Sequence, residues 1–142
     1  TPNEGEAKFL AGFSHDDPNV TLPDVAARLL KLGAKAVIIT VGEKGCLLAK
    51  PNQPLQTFPA YKVDVIDTVG AGDAFNGGLA VALSQGQPLE QAISRAIVTA
   101  SLSTGKIGAH DGLPDAKEVA RHLETYLAKN AANVSATRFS PL

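Results

Sequence analysis

Apolar residues at helical spacing alternate along this chain with short, unbroken apolar runs. Ala7, Leu10 and Ala11 fall three and four apart or adjacent, which predicts a short helix over residues 3–11. The polar stretch GFSHDDPN that follows reads as loop. Thr21, then Leu22, Pro23 and Asp24, supplies the hydroxyl cap, early proline and first-turn acid of a helix start. Val25, Ala26, Leu29 and Leu30 extend that helix as a stripe, and Gly33 closes it. AVIITV at 36–41 is apolar throughout and rich in β-branched residues, as in a strand buried on both faces. Gly42 to Gly45 reads as a turn, CLLAK as a second strand, PNQP as a loop, and residues 55–66 as extended chain.

The second half is helical in pattern. Ala71, Ala74, Phe75, Gly78, Leu79, Ala82 and Leu83 form one face of a helix that Gly86 ends. Pro88 opens another helix, carrying Ala92, Ile93, Ala96, Ile97 and Ala100. TGKIGAHDGLP at 104–114 is a glycine-rich loop, and residues 115–128 form a last amphipathic helix with Val119, Leu123, Tyr126 and Leu127. From residue 130 the periodicity stops, which predicts a flexible tail over 130–142. Strands and helices alternate, so the fold class is α/β, a helix-covered sheet.

Composition narrows the function only by exclusion. The chain has 142 residues, enough for one domain with a substantial core, and carries a net charge of −1 without a basic block. That balance argues against a nucleic-acid partner. No apolar run approaches the roughly 18 residues of a membrane span and no signal peptide opens the chain, so the expected location is cytoplasmic, with no membrane partner. Cys46 stands alone in GCLLA and reads as a small buried hydrophobe rather than a reactive thiol. There is no methionine, so the sequence is expected to be either processed at its start or a piece of a longer polypeptide.

The chemistry concentrates in DTVGAGDAF at 67–75. Gly70, Ala71 and Gly72 leave the backbone nearly bare at a helix start, where unpaired N–H groups and the helix dipole favour an anion, most often a phosphate. Asp73 would repel a resident phosphate if binding were the only task. It makes sense as a base that accepts a proton from a substrate hydroxyl while the turn stabilises the transferred group. The competing reading is that Asp73 simply caps the helix. Other phosphate motifs fail on spacing. The third glycine of a dinucleotide fingerprint would fall on Phe75, and no Gly-Lys-Ser/Thr ending of a P-loop occurs. His15, His110 and His122 lack zinc spacing and read as surface or satisfied polar residues.

DTVGAGDAFNGG resembles the signature of the ribokinase (PfkB) family of carbohydrate kinases. TPNEGE at the start resembles the family's N-x-x-E motif, TVGEKG at 40–45 its nucleotide-side strand and turn, and GKIGAHDGLP the loop closing its nucleotide and monovalent-cation sites. The resemblance runs to about residue 129 and implies the C-terminal, nucleotide-binding part of a three-layer, mostly parallel sheet fold. It implies ATP as phosphoryl donor, a small sugar as acceptor and magnesium as cofactor. By position, Asp73 resembles the catalytic base and the amides of Gly70, Ala71, Gly72 and Asp73 the anion hole. Asn3 and Glu6 resemble the pair that organises magnesium and its waters, with an exposed first-turn acid as the plain alternative for Glu6. Thr40, Gly42 and Gly45 resemble ATP-contacting positions, and Ile97 falls near the adenine pocket, where it offers apolar contact only. Asp67, with carbonyls of Val69, Ser103, Lys106 and Gly108, resembles the site of potassium-activated members; Asp67 could instead only bond the turn. Where some relatives offer a hydroxyl ligand, this chain has Gly112. Asn76 favours a ribose-like acceptor. The resemblance leaves the lid and most sugar-contacting groups outside this sequence, so the chain alone is expected to turn over little, and a homo-oligomer is expected of the full-length parent. A different class of reading is a non-catalytic nucleotide- or anion-binding half-domain that pairs with another chain.

Overall fold

The two N-terminal helices start on capping boxes that the sequence spells out. Asn3 caps α1 (Glu4–Leu10) and Thr21 caps α2 (Leu22–Lys31), each paired with the acid three residues on, Glu6 and Asp24. The computed structural model describes residues 1–15 and 17–131. Its further elements are β1 (Val37–Thr40), a 3-10 turn (Gly42–Lys44), β2 (Cys46–Ala49), β3 (Gln56–Phe58), α3 (Ala71–Ser84), α4 (Leu89–Ser103) and α5 (Ala116–Asn130). These residues divide into two compact units, Thr1–Pro59 and a second that begins at Ala60, where one part spanning 1–129 was expected. The tail expected from residue 130 lies, from residue 132, outside the described residues, and α5 itself continues to Asn130.

In the first unit the three strands form a sheet of order β1-β2-β3. Ile39 stands opposite Leu47 and Val37 opposite Ala49, and this face packs on Ala7, Ala11, Val25 and Ala26 of the two helices. Ile38, Leu48 and Phe58 on the other face are equally buried, as the unbroken apolar run predicts. Both ladders are antiparallel, although the family fold implied by the resemblance has a mostly parallel sheet. The reason is local: Val41–Gly45 is too short for a parallel crossover, which takes about a dozen residues or more. Among the described residues the parallel pairing is a single bridge between Asn3 and Thr40. Only 56–58 of the expected extended stretch 55–66 is strand.

In the second unit α3 and α4 pack at close range. A methyl group on Gly78 would stand 2.7 Å from Thr99 Oγ1 and 3.1 Å from the Ala96 α-carbon, so the bare residue sets the helix spacing. Ala92, Ile93, Ala96 and Ile97 form the buried face of α4, as their spacing predicts. On α5, Val119 and Tyr126 are buried while Leu127 is exposed, so the apolar stripe is narrower than the sequence suggests.

Candidate phosphoryl-transfer site

Gly70 is the N-cap of α3 and has φ +80°, a left-handed conformation that costs a side-chain-bearing residue about 1–3 kcal/mol. A methyl group there would also lie 2.7 Å from the Ala109 β-carbon, so two constraints require glycine. The Ala71 N–H donates to the Thr68 carbonyl at 3.2 Å, which corrects the expectation that every amide from Gly70 to Asp73 is offered to a ligand. The N–H groups of Gly72 and Asp73 are first-turn donors with no backbone acceptor among the described residues. Nothing lies within 4 Å of the place where a Gly72 side chain would be, so the approach to these donors is open.

Asp73 occupies the third helical position of α3 and is exposed. Glu6 and Asp24 hold the same position in α1 and α2, and both bond back to their cap residues. Asp73 does not: α3 has no side-chain cap hydrogen bond, and no described residue bonds its carboxylate. The capping reading of Asp73 therefore has no contact behind it among the described residues.

Asp67 closes the turn on its other side. Its Oδ1 accepts the Val69 N–H at 3.0 Å and its Oδ2 accepts the Gly108 N–H at 3.0 Å. Those two bonds, Gly108's first, hold its carboxyl below the usual carboxylate range. The Thr104 carbonyl accepts the N–H groups of Ile66 and Asp67, at 2.7 and 3.1 Å, and so fastens the segment before the turn to the end of α4. The Lys106 ammonium pairs with Glu118 of α5 at 3.3 Å, and the Ser103 hydroxyl turns back to the Ala100 carbonyl at 2.8 Å.

Three carbonyls of this loop converge beside Gly112. A methyl group on Gly112 would lie 2.6 Å from the Gly108 oxygen, 2.9 Å from that of Ser103 and 3.5 Å from that of Lys106. Three of the expected cation-site groups are thus brought together, and Asp67 joins them through the Gly108 N–H. Val69 is tied to the cluster by its N–H, and its carbonyl takes no part in the recorded contacts. Ala109 is a site-building residue that the sequence reading did not single out, and Gly112 entered that reading only as the position where some relatives offer a hydroxyl ligand. A small residue in a glycine-rich loop was the available signal, and the partner atoms were not legible.

In the first unit the structure places Asn3, Glu6 and Thr40 at one sheet edge, where the Thr40 N–H donates to the Pro2 carbonyl at 3.0 Å. Asn3 Oδ1 accepts the Glu6 N–H and Glu6 Oε2 accepts the Asn3 N–H, both at 2.9 Å. Glu6 is exposed and its Oε1 stays outside this exchange. An amide oxygen and one carboxylate fit magnesium, which prefers oxygen and keeps several of its waters. Among the described residues no cluster of three acids, histidines or cysteines offers a fully protein-made metal site. Gly42 and Gly45 flank the 3-10 turn, and Gly45 has φ +99° and ψ −125°, which essentially glycine alone adopts. A largely apolar cavity of about 310 Å³ beside this turn is lined by Leu22, Pro23, Val41, Lys44, Cys46, Leu47, Leu55 and Thr57.

The remaining candidates separate clearly. Ile97 is 3% exposed and presents almost no surface to an adenine ring. His122 Nδ1 pairs with the Tyr61 hydroxyl at 2.8 Å, a satisfied polar contact as expected. His110 is exposed beside Asp111, and the His15 ring packs over Gly5. Cys46 is buried, and burial pushes its thiol up to about 12. No helix of the described residues is long and apolar enough to cross a membrane.

Residues 1–116 match the pfkB family of carbohydrate kinases. The chain is 37% identical over 124 residues to a ribokinase of Lactococcus lactis, covering 87% of this chain and 38% of that protein. It superposes on the crystal structure of a ribokinase from Thermotoga maritima with a TM-score of 0.79 and 38% identity, over 87% of this chain and 41% of that one. It likewise matches an Arabidopsis thaliana ribokinase solved with ribose and ATP, with a TM-score of 0.76 and 31% identity, over 87% and 39% of the two chains. The chain thus spans well under half the length of these ribokinase-fold relatives, and within that span it belongs to the pfkB family of carbohydrate kinases.

Proposed function

We propose that this chain carries the phosphoryl-donor end of an ATP-dependent sugar kinase, with Asp73 as general base. The observation that carries the reading is the exposed Asp73 carboxylate, which no described residue bonds, directly after the bare Gly72 and beside two N–H donors without a backbone acceptor among the described residues. The Asp73 carboxylate takes the proton of a sugar hydroxyl as that oxygen forms its bond to the γ-phosphorus of ATP. The bond from phosphorus to the β–γ bridging oxygen breaks and ADP leaves. The N–H groups of Gly72 and Asp73 stabilise charge on the transferred group, which is where preorganised donors contribute most. Asn3 and Glu6 are the residues that would hold magnesium, which would offset phosphate charge when bound. Thr40, Gly42 and Gly45 form the ATP-side turn.

Asp67 and the carbonyls around Gly112 suit a monovalent cation such as potassium. The donors are neutral oxygens, and the single carboxylate nearby already accepts an N–H on each oxygen. The sugar is ribose-like; Asn76 and the named ribokinase relatives support that choice.

The test uses a full-length protein that contains this sequence. Asp73→Asn is expected to lower kcat by about 10² to 10⁴ with ATP affinity nearly kept. Unchanged turnover removes Asp73 from the base role. A phosphorylation screen across ribose, fructose, 2-keto-3-deoxygluconate and adenosine fixes the acceptor, and no transfer to any of them overturns the kinase reading.

A further inference from the structure

The largely apolar cavity beside the 3-10 turn lies wholly within the first unit and has no part in the phosphoryl-transfer reading. Its place follows from how the sheet is covered. Ile39, Leu47 and Thr57 stand opposite one another across β1, β2 and β3, so they share one face. Ile39 and Leu47 are buried against α1 and α2, whereas Thr57 is exposed. The helical cover thus ends between β2 and β3. The cavity opens there, walled by Leu47, by Leu22 and Pro23 at the start of α2, and by Val41 and Leu55.

Imperfect packing is the plain alternative, and size, rigidity and charge count against it. Protein interiors keep few voids larger than a water molecule. At about 310 Å³ this cavity is about twice the roughly 150 Å³ that holds a benzene-sized guest, and it reaches the lower end of ligand pockets. Its walls are fixed independently of any occupant. The Thr21–Asp24 capping box sets the start of α2, and β2 is paired on both sides. Lys44 and Thr57 supply the polar part of the lining, and both are exposed, which puts them at the rim. No described carboxylate pairs with the Lys44 ammonium, and Asp24, the acid next to Pro23, is engaged by Thr21.

We propose that this cavity binds a small amphiphilic carboxylate, its apolar body between Leu47 and Leu55 and its charge at the rim beside Lys44. An apolar body of about one or two rings fills the space. A neutral ligand of that shape leaves Lys44 unpaired, and a cation is repelled by it. Burial of the apolar body supplies most of the affinity, and the exposed lysine adds a modest preference for the anion.

The test titrates 2-naphthoate calorimetrically into a full-length protein that contains this sequence. One saturable site is expected, with Kd about 1 mM or tighter. 2-Naphthamide, the same body without the charge, should bind about twofold to fivefold more weakly. Lys44→Gln should abolish that preference, and Leu55→Trp, which places an indole in the cavity, should weaken both ligands at least about tenfold. In methyl NMR spectra of the unaltered protein, 2-naphthoate should shift Val41, Leu47 and Leu55 and leave Val98, buried in α4, unmoved. No saturation by about 10 mM, shifts that miss the cavity methyls, or full binding in Leu55→Trp overturns the site. Equal affinity for the two ligands, or a preference that survives in Lys44→Gln, overturns the carboxylate class. Should Leu55→Trp not fold, the methyl shifts of the unaltered protein decide. None of these outcomes involves phosphoryl transfer, so the site and the kinase reading fail separately.

Discussion

Asp67 Oδ2 accepts the backbone N–H of Gly108, 41 residues further along the chain, at 3.0 Å. That bond joins the turn before α3 to the loop after α4, and the close approach of Gly70 to Ala109 seals the same junction. The glycine turn before α3 and the carbonyl cluster are therefore one assembly, built from two segments that are remote in sequence.

The junction should respond to acid. Asp67 is held below its unfolded carboxylate pKa, near 3.9, by the Gly108 and Val69 N–H groups. Its contribution is fully present above that value and is lost as pH falls through the lower folded value. The stability difference between the unaltered chain and Asp67→Asn should be constant around neutrality and shrink below about pH 4. Denaturant midpoints measured across that range check this, and a difference that stays flat down to the acid limit would falsify the tie.

Gly70 and Gly72 are two residues apart and should behave oppositely. Gly70→Ala meets both a left-handed backbone and the Ala109 methyl, and should lose at least about 1–3 kcal/mol. Gly72→Ala meets nothing within 4 Å and should keep its stability or gain up to about 1 kcal/mol. In a full-length protein that contains this sequence, the same Gly72→Ala should lower kcat/KM for the proposed transfer by about tenfold or more, because its methyl obstructs the approach to the N–H donors. Melting curves with steady-state kinetics separate the two residues, and equal destabilisation by both contradicts the geometry.

Asn3 has a structural duty that a metal-site reading alone would overlook. Asn3→Ala removes the cap of α1 and should cost about 1 kcal/mol, whereas Asn3→Ser keeps a capping oxygen and most of the stability. Urea midpoints of the two variants measure the difference. In a full-length protein that contains this sequence, Asn3→Ser should nonetheless weaken the proposed magnesium-ATP binding; unchanged binding would leave Asn3 as a cap only.

Cys46 should be close to inert in the folded chain. With its thiol pushed up to about 12, it holds almost no thiolate at pH 8, so alkylation by iodoacetamide should be at least about a thousandfold slower than in denaturant. Comparable rates in the two states would show that the strand it sits on opens readily.

Much of this protein follows from local rules that the sequence states outright. Helix periodicity located α2 to α5 to within a few residues, and Thr21, Asn3 and Asp115 cap because short polar side chains reach the first-turn amides. DTVGAGDAF marked a helix start with bare glycines and an acid, the residues from which the proposed anion turn and base are drawn. Tertiary structure decided what depends on atoms far apart along the chain. It tied the Ala71 amide to the Thr68 carbonyl, buried Ile97, and left Asp73 without the capping bond that Glu6 and Asp24 make at the same helical position. It also gathered the carbonyls of Ser103, Lys106 and Gly108 around Gly112. Backbone carbonyls are the same in every residue, so their convergence leaves no mark in a sequence beyond the glycine that makes room for it.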